Sequence, residues 1–332
     1  MISRDPTILV EGSASYGRVK DYAGLVEYLD VVLPGFECLK FLFFRSAPPI
    51  DLVTAQDPFE TGLLAWVIAR ARGARLELQV HTDFYSKYYR RESLKNCIRF
   101  WIARFLIPRA DCVRVVSARL QKKIGGSFLL PIWIDLENLR DARKEVNLHQ
   151  KYPQFEFIIF MASRLTREKN IGLALEAVGE LAKKNPKIGL VIAGDGPERV
   201  HLESEAAKLG FAKNVIFEDW VTDLASYYKT ADLFLLTSNY EGYGRTLVEA
   251  AALDCPIVTT DVGVAGDLIS GQNSIIVPVE NKQALVKAIL DVIEKRFSAL
   301  GAAPINLGTK EEYLLKYGNL WQSCRGLPYD RG

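Results

Sequence analysis

Histidine and cysteine are scarce in this chain, and what is missing narrows its chemistry before anything else does. There are three histidines and five cysteines in 332 residues. The cysteines, Cys38, Cys97, Cys112, Cys255 and Cys324, show no CxxC pairing and no metal-ligand spacing. They read as small core residues of a protein kept in a reducing compartment, and no metal site is expected. No stretch reaches the ~18 consecutive apolar residues that mark a membrane span. The first ten residues, MISRDPTILV, carry charge and proline where a secretory signal needs an apolar run, so the expected location is cytoplasmic. Neither sign of charge dominates: 42 Lys and Arg stand against 40 Asp and Glu, a net charge of +2. A polyelectrolyte character is excluded, and nucleic acid is not an expected partner.

What is present is an alternation. At 332 residues the chain exceeds the size at which single cores stop growing, so two domains are expected. In the second half short apolar runs alternate with amphipathic ones: FEFIIFMAS (155–163), IGLVIAGDG, NVIFED, DLFLLTS, PIVTTD and SIIVP read as strands. The helices between and after them read as IGLALEAVGELAKKN, PERVHLESEAAKLG, LASYYKTA, RTLVEAAAL, AGDLIS and KQALVKAILDVIEK. Strands apolar throughout and separated by helices predict a parallel sheet covered on both faces, with ligands at the carboxyl ends of the strands. The first half repeats the pattern less regularly. TILVEG, YLDVVLP, CLKFLFF, IDLVTAQ, RLELQVH and CVRVVS are strand candidates, with helices near 15–29, 59–72 and 93–107. A polar linker falls near 131–153, between Pro131 and Pro153. The expected division is a reduced N-terminal Rossmann-like domain (1–140), a C-terminal Rossmann-like domain (141–305) and a tail (306–332). Tyr313, Tyr317 and Trp321 form an apolar stripe on that tail, which needs a surface to bury it, and the first domain is the natural one.

Several motifs sit at strand ends. Glu241 and Glu249 lie eight apart in SNYEGYGRTLVEAAALDCPIV, the first on a Gly-rich turn and the second two turns into the following helix. Two carboxylates near one helix N-terminus suit a sugar nucleotide: one can hold sugar hydroxyls and the other a ribose, while the N–H groups between meet a diphosphate. Asn239, Gly242, Tyr243 and Gly244 form the turn entering the helix at Arg245 and Thr246; a turn that merely needs positive φ is compatible with the same residues. Arg164 follows a buried strand and Lys169 precedes a helix in MASRLTREKN, where both can neutralise a diphosphate; otherwise this is a solvated basic loop. Gly194 and Gly196 in AGDGPER are a tight turn first and a phosphate contact second, since no GxGxxG follows. His81, beside Asp83 at another strand end, can hydrogen-bond a sugar hydroxyl or shuttle a proton near neutral pH, or it can be structural. From Lys87 to Arg109 there are seven Lys or Arg and one acid, Glu92, interleaved with Tyr88, Tyr89, Phe100, Trp101 and Phe105. A basic helix with aromatic anchors lying on an anionic membrane and an ordinary half-buried helix are both consistent with that pattern.

Taken together, SRLTREKN, AGDGPE and SNYEGYGRTLVEA followed by PIVTTDVG resemble the retaining glycosyltransferases of family 4 (glycosyl transferases group 1). The match runs over about residues 157–295. HTD at 81–83 and VVSARL at 115–120 resemble the same family more loosely. The resemblance implies a GT-B fold, an α/β architecture of two Rossmann-like domains facing across a cleft, with the N-terminal domain shortened. It implies transfer of a hexose from a nucleotide-diphosphate sugar, UDP before GDP, to a saccharide or lipid-linked acceptor in polysaccharide or glycolipid synthesis, with retention and without a metal or other cofactor. Arg164 and Lys169 would bind the donor diphosphate, Glu241 the transferred sugar and Glu249 the ribose, with His81 at the reaction centre. Gly194, Gly196, Asn239, Gly242, Tyr243, Gly244, Arg245 and Thr246 would line the nucleotide. The family's last helix crosses back onto the first domain, as the tail's stripe suggests.

Two departures stand out. TILV is short and EGSASYG is a poor Gly-rich loop, and Asp254 stands where the family has glycine, at a position expected to have positive φ. No carboxylate is placed as a covalent nucleophile, which favours same-face attack with the departing phosphate taking the acceptor's proton. The rival readings are another GT-B reaction, epimerisation or phosphorolysis, and a catalytically impaired relative acting as a sugar-nucleotide-binding scaffold.

Overall fold

The computed structural model describes residues 1–35, 38, 49–269, 274–295 and 305–326. The chain divides into two compact units, Met1–Trp133 with Gly308–Gly332, and Ile134–Leu307. Among the described residues no helix is long and apolar enough to cross a membrane.

The second unit carries six parallel strands: β5 (Phe157–Ala162), β6 (Ile188–Ala193), β7 (Val215–Glu218), β8 (Leu233–Leu236), β9 (Ile257–Thr260) and β10 (Ser274–Val277). Their spatial order is β10-β9-β8-β5-β6-β7. Counted from β5 this is 3-2-1-4-5-6, the doubly wound order in which the chain reverses direction between its first and fourth strands. The reversal opens a crevice beyond the carboxyl ends of β5 and β8. The strands form because their side chains are apolar on both faces; β6 and β8 are buried at every position. Helix Ile171–Lys184 covers one face, burying Leu175, Val178 and Leu181 against Leu190 and Ile192 of β6 and Leu233 and Leu235 of β8. The stretch AGDLIS is not a helix over its described part. Residues 266–268 form a turn closed by a bridge between Ala265 and Ile269, for the two glycines at 263 and 266 both have positive φ and break the helical path. Asp254 has φ +56°, the left-handed conformation expected where the family has glycine.

The first unit has four parallel strands in simple order: β1 (Leu52–Ala55), β2 (Arg75–Val80), β3 (Cys112–Val115) and β4 (Phe128–Leu129). TILVEG is not a strand. Pro6–Leu9 is a 3-10 helix started by the Asp5 side chain, which accepts from Thr7 N, with Pro6 in its first turn where no N–H is needed. The strand contact at this edge comes instead from Met1–Ser3, where Ile2 bridges both Val32 and Ala55. YLDVVLP contributes only that bridge at Val32, and CLKFLFF lies outside the described residues apart from Cys38. The helix expected near 15–29 ends at Ala23, before Gly24.

Along β2 apolar and polar residues alternate. Leu76 and Leu78 join the core formed with Ala65 and Ile68 of helix Glu60–Arg72. The other face presents Glu77 and Gln79, both buried, to the tail helix Lys310–Cys324, which begins in a capping box between Thr309 and Glu312. Trp321 Nε1 donates to Glu77 Oε2 (2.9 Å), and Gln79 Nε2 donates to Tyr317 (2.7 Å) and Thr54 (3.0 Å). Arg114 of β3 lies over the Tyr317 ring at 4.8 Å, and Tyr22 stacks on that ring at 4.5 Å. The expectation that every cysteine is an unpaired core residue is overturned here: Cys112 of β3 and Cys324 at the end of the tail helix form a disulfide across 212 positions of sequence. Spacing rules detect local pairs, and this pair is made by the tail's return to the sheet.

Candidate functional site

The crevice between β5 and β8 collects four segments. After β5 the chain runs Ser163-Arg164-Leu165-Thr166 into a 3-10 turn, Arg167–Lys169, and Asn170 takes a left-handed conformation (φ +46°) before the helix starts. After β8 it runs Thr237-Ser238-Asn239-Tyr240-Glu241. The two loops are sewn together: Thr237 Oγ1 donates to the carbonyls of Lys169 and Asn170 (3.0 Å each), Asn239 N donates to Glu168 O (2.8 Å), and Asn170 Nδ2 donates to Asn239 Oδ1 (2.9 Å).

These bonds bring Lys169 and Glu241 together. The Lys169 ammonium donates to Glu241 Oε1 at 2.5 Å, and Ser238 Oγ donates to the same oxygen at 2.8 Å. Both side chains are mostly buried, 16% and 13% exposed. Arg164 is different: its side chain is 69% exposed and reaches Glu168 only at 3.3 Å. A guanidinium so loosely held is free to turn toward an anion. Among the described residues the neighbouring Ser163 hydroxyl is buried without a hydrogen-bond partner, and so is the Tyr243 hydroxyl, which burial pushes well above its ordinary pKa.

The third segment is the turn Glu241–Gly244. Gly242, Tyr243 and Gly244 are all buried, and Gly244 (φ +87°) leads into helix Arg245–Ala252 without a side-chain cap. The turn keeps its shape because Gly263, after β9, lies against it. A Cβ at Gly263 would stand 2.3 Å from Tyr243 O and 3.0 Å from Glu241 Cβ, and Val264 N donates to Tyr243 O (2.8 Å). Gly263 was not among the candidate residues, although the family-like stretch ends on it. Thr246 sits half-buried in the first turn of the helix, and Arg245 is exposed. Glu249 is 5% exposed, and both of its oxygens are engaged: Arg245 Nε donates to Oε1 (2.6 Å) and Tyr228 OH to Oε2 (3.2 Å).

Gly194 and Gly196 form the fourth segment, after β6. A Cβ on Gly194 would fall 1.9 Å from Ser163 O, and one on Gly196 2.4 Å from Leu165 O. They let the β6 loop press on the loop that carries Arg164, with Leu165 N donating to Asp195 O (2.9 Å). Their structural duty is thus plain, and it serves the site indirectly.

His81 and Asp83 belong to the first unit, at the carboxyl end of β2. His81 Nε2 lies 3.2 Å from Gln79 Oε1. Because the Gln79 amide nitrogen donates to Thr54 and Tyr317, its oxygen must accept, so His81 carries its proton on Nε2 and keeps a lone pair on Nδ1. Burial, aided by the Arg114 and Arg18 charges, pushes the imidazole from 6.5 down to about 3. A neutral imidazole with a free lone pair is suited to accepting a hydrogen bond from a hydroxyl. Asp83 is buried and paired with Lys123 at 2.5 Å.

Comparison with known proteins adds the following. A family profile described as Glycosyl transferases group 1 matches residues 144–308, and one described as Glycosyl transferase 4-like domain matches residues 11–131. An alpha-monoglucosyldiacylglycerol synthase of Streptococcus pneumoniae is 28% identical over 243 residues, 67% of this chain and 54% of that protein. The lipopolysaccharide core biosynthesis mannosyltransferase LpsB of Rhizobium meliloti is 27% identical over 219 residues, 61% of each chain. A putative teichuronic acid biosynthesis glycosyltransferase of Bacillus subtilis, TuaC, is 29% identical over 76% of this chain and 63% of that protein. The chain thus spans between 54% and 63% of the length of these curated relatives. Among solved structures, Anabaena Alr3699/HepE in complex with UDP superposes with a TM-score of 0.72 at 16% identity, covering 97% of this chain and 98% of that one. The sucrose-phosphate synthase of Thermosynechococcus elongatus gives 0.68 at 22% identity, over 83% and 73% of the two chains.

Proposed function

The chain belongs to the group 1 glycosyl transferases and has their GT-B fold of two Rossmann-like domains, and from that premise we propose that it transfers a hexose from a nucleotide-diphosphate sugar to an acceptor hydroxyl, with retention and without a metal. The observation that carries this reading is the Lys169–Glu241 pair at the reversal point of the doubly wound sheet, with Arg164 beside it and a helix N-terminus behind it. In this reading Arg164 swings from Glu168 onto the diphosphate. Lys169 holds Glu241 in place through Oε1 and supplies positive charge as the leaving group's charge grows, while Glu241 Oε2 takes sugar hydroxyls. The backbone N–H groups of Arg245 and Thr246, at the start of the helix, meet phosphate oxygens. Preorganised donors of this kind are each worth about 3 kcal/mol of barrier. Glu249 receives the ribose hydroxyls once Arg245, its exposed partner, yields. Gly194, Gly196, Asn239, Gly242, Tyr243 and Gly244 shape the loops around the nucleotide. His81 serves as a hydrogen-bond acceptor for a substrate hydroxyl through Nδ1.

UDP is the proposed donor base and a saccharide or lipid-linked molecule the acceptor, in polysaccharide or glycolipid synthesis. Support comes from the similar proteins: HepE was solved with UDP, and the curated relatives are an alpha-monoglucosyldiacylglycerol synthase, a lipopolysaccharide core biosynthesis mannosyltransferase and a putative teichuronic acid biosynthesis glycosyltransferase. A location on the cytoplasmic side, where nucleotide sugars are made, goes with this reading.

A second reading, a non-catalytic nucleotide-sugar-binding relative, is favoured by one observation: the Met1–Ser3 strand contact is followed by a 3-10 helix at Pro6–Leu9 and not by a Gly-rich loop. Calorimetric titration of UDP, GDP and ADP with a chelator present tests the donor site. Micromolar binding of UDP, weakened about tenfold or more in Glu249→Gln, is the expected result. Failure of all three to bind refutes both readings. Binding without turnover across a panel of saccharide and lipid acceptors selects the second.

A further inference from the structure

Helix Leu94–Leu106 has two apolar faces, and only one of them is used. Asn96, Phe100, Ala103 and Leu106 are buried against the first unit. On the opposite side Leu94, Ile98, Trp101 and Phe105 are 78%, 53%, 63% and 41% exposed. At about 100° per residue these four fall within roughly 60° of arc, a single stripe pointing away from the core. The neighbouring helix Glu60–Arg72 adds exposed Leu63 and Val67, and its Trp66 ring meets Phe105 at 5.5 Å. Six large apolar side chains on two packed helices are far more than the scattered exposure of an ordinary surface.

Charge is arranged around the stripe. Lys95 lies on one flank and Arg104 on the other, both exposed, with Lys87, Arg90 and Arg91 before the helix and Arg109 after it. Arg104 reaches over the Trp101 ring at 5.8 Å and Arg109 over the Phe105 ring at 3.9 Å, so the cations sit at the rim of the aromatic surface. An apolar ridge bounded by cations on both sides is complementary to a lipid surface bearing negative headgroups: the ridge enters the acyl boundary and the cations stay at the phosphates. A second copy of the chain is a poor occupant, because a two-fold contact would set this cationic rim against itself.

We propose that helix Leu94–Leu106, with Leu63 and Val67 beside it, is a monotopic docking surface for an anionic lipid bilayer. The inference is independent of the proposed reaction, since none of these residues belongs to the nucleotide site. It is tested by flotation with vesicles of phosphatidylcholine, with and without phosphatidylglycerol. The intact protein is expected to float with the anionic vesicles, to remain free with the neutral ones, and to be released by high salt. Ile98→Ser with Trp101→Ser, and separately Lys95→Glu with Arg104→Glu, should each lower the partition coefficient about tenfold or more, because stripe and rim act together. These side chains are exposed, so thermal unfolding and UDP binding should be unchanged, which separates loss of docking from loss of fold or of the donor site. Equal binding to neutral vesicles, or wild-type partition of the Ile98→Ser, Trp101→Ser variant, overturns the proposal. So does a concentration-dependent dimer in sedimentation velocity that the same variant abolishes, since the face is then a contact between copies.

Discussion

The two units put their buried polar groups in different places. In the second, the strands are apolar inside, and most of the buried polar residues, Thr237, Ser238, Thr259 and Thr260, gather at the carboxyl ends of β8 and β9, with Glu249 close behind and Ser226 apart from them. In the first, the polarity is in the sheet itself: Glu77, through Oε2, and Gln79 of β2 and Arg114 of β3 are buried and hydrogen-bonded to the tail helix and its neighbours. The difference teaches where each unit spends specificity. The second unit holds its sheet by apolar packing, keeps polar networks such as Glu218 with Lys151, Tyr152 and Tyr227 outside the sheet interior, and lines the site with hydrogen-bonding groups. The first uses hydrogen bonds, ring stacking and a disulfide to fasten the tail helix, a segment remote in sequence.

The sharpest way to test the contrast is to remove polarity from the second unit. Lys169→Met or Glu241→Gln should lower turnover about a hundredfold or more while thermal unfolding moves little, because the pair lies at the crevice and not in the core. Steady-state kinetics beside calorimetry checks this, and a large loss of stability with near-normal turnover would erase the distinction between the units. Arg164→Ala, whose side chain is mostly exposed, should act on turnover alone.

Next in size is the covalent link. Reducing the disulfide, or Cys112→Ser with Cys324→Ser, should destabilise the first unit by about 2–5 kcal/mol, since the bond closes a very long loop. Urea unfolding followed through the tail's Trp321 fluorescence reads it, and unchanged stability would mean that packing alone holds the tail helix. Then comes Gly194→Ala. Its φ of +144° and the Ser163 carbonyl 1.9 Å from the new Cβ predict a loss of about 1–3 kcal/mol, together with weaker nucleotide binding as the Arg164 loop is displaced.

The smallest effect is a pH dependence in the first unit. His81 has a folded pKa of about 3 against 6.5 when unfolded, so the unfolded chain binds the extra proton between those values. The contribution is fully present above about pH 6.5 and is lost progressively as the pH falls toward 3. His81→Gln should flatten the stability profile in that window relative to wild type; an unchanged slope would show that other groups carry it.

Legibility in the sequence follows the same division. The second unit was readable almost strand by strand, because β5, β6 and β8 are continuous apolar runs that no other element class explains as well. Arg164, Lys169 and Glu241 could be picked out because a parallel sheet sends ligands to the carboxyl ends of its strands. Gly263 was missed: its role is to accommodate a neighbouring loop, and glycine carries no pattern that says so. In the first unit TILV looked like a strand, yet Pro6 and the Asp5 cap turned it into a 3-10 helix and left Met1–Ser3 to make the bridges.

By itself the sequence determined which segments are strands in the second unit and which residues stand at their ends, because periodicity and side-chain chemistry are local properties of the chain. Tertiary structure alone decided that Cys112 meets Cys324, that Glu77 finds a donor and Gln79 an acceptor on the tail helix, and that Lys169 rather than Arg164 holds Glu241. It also decided which of two apolar faces of helix Leu94–Leu106 is buried. A helical repeat shows that faces exist, and only the packing of distant segments determines which one meets the core and which is left to meet something else.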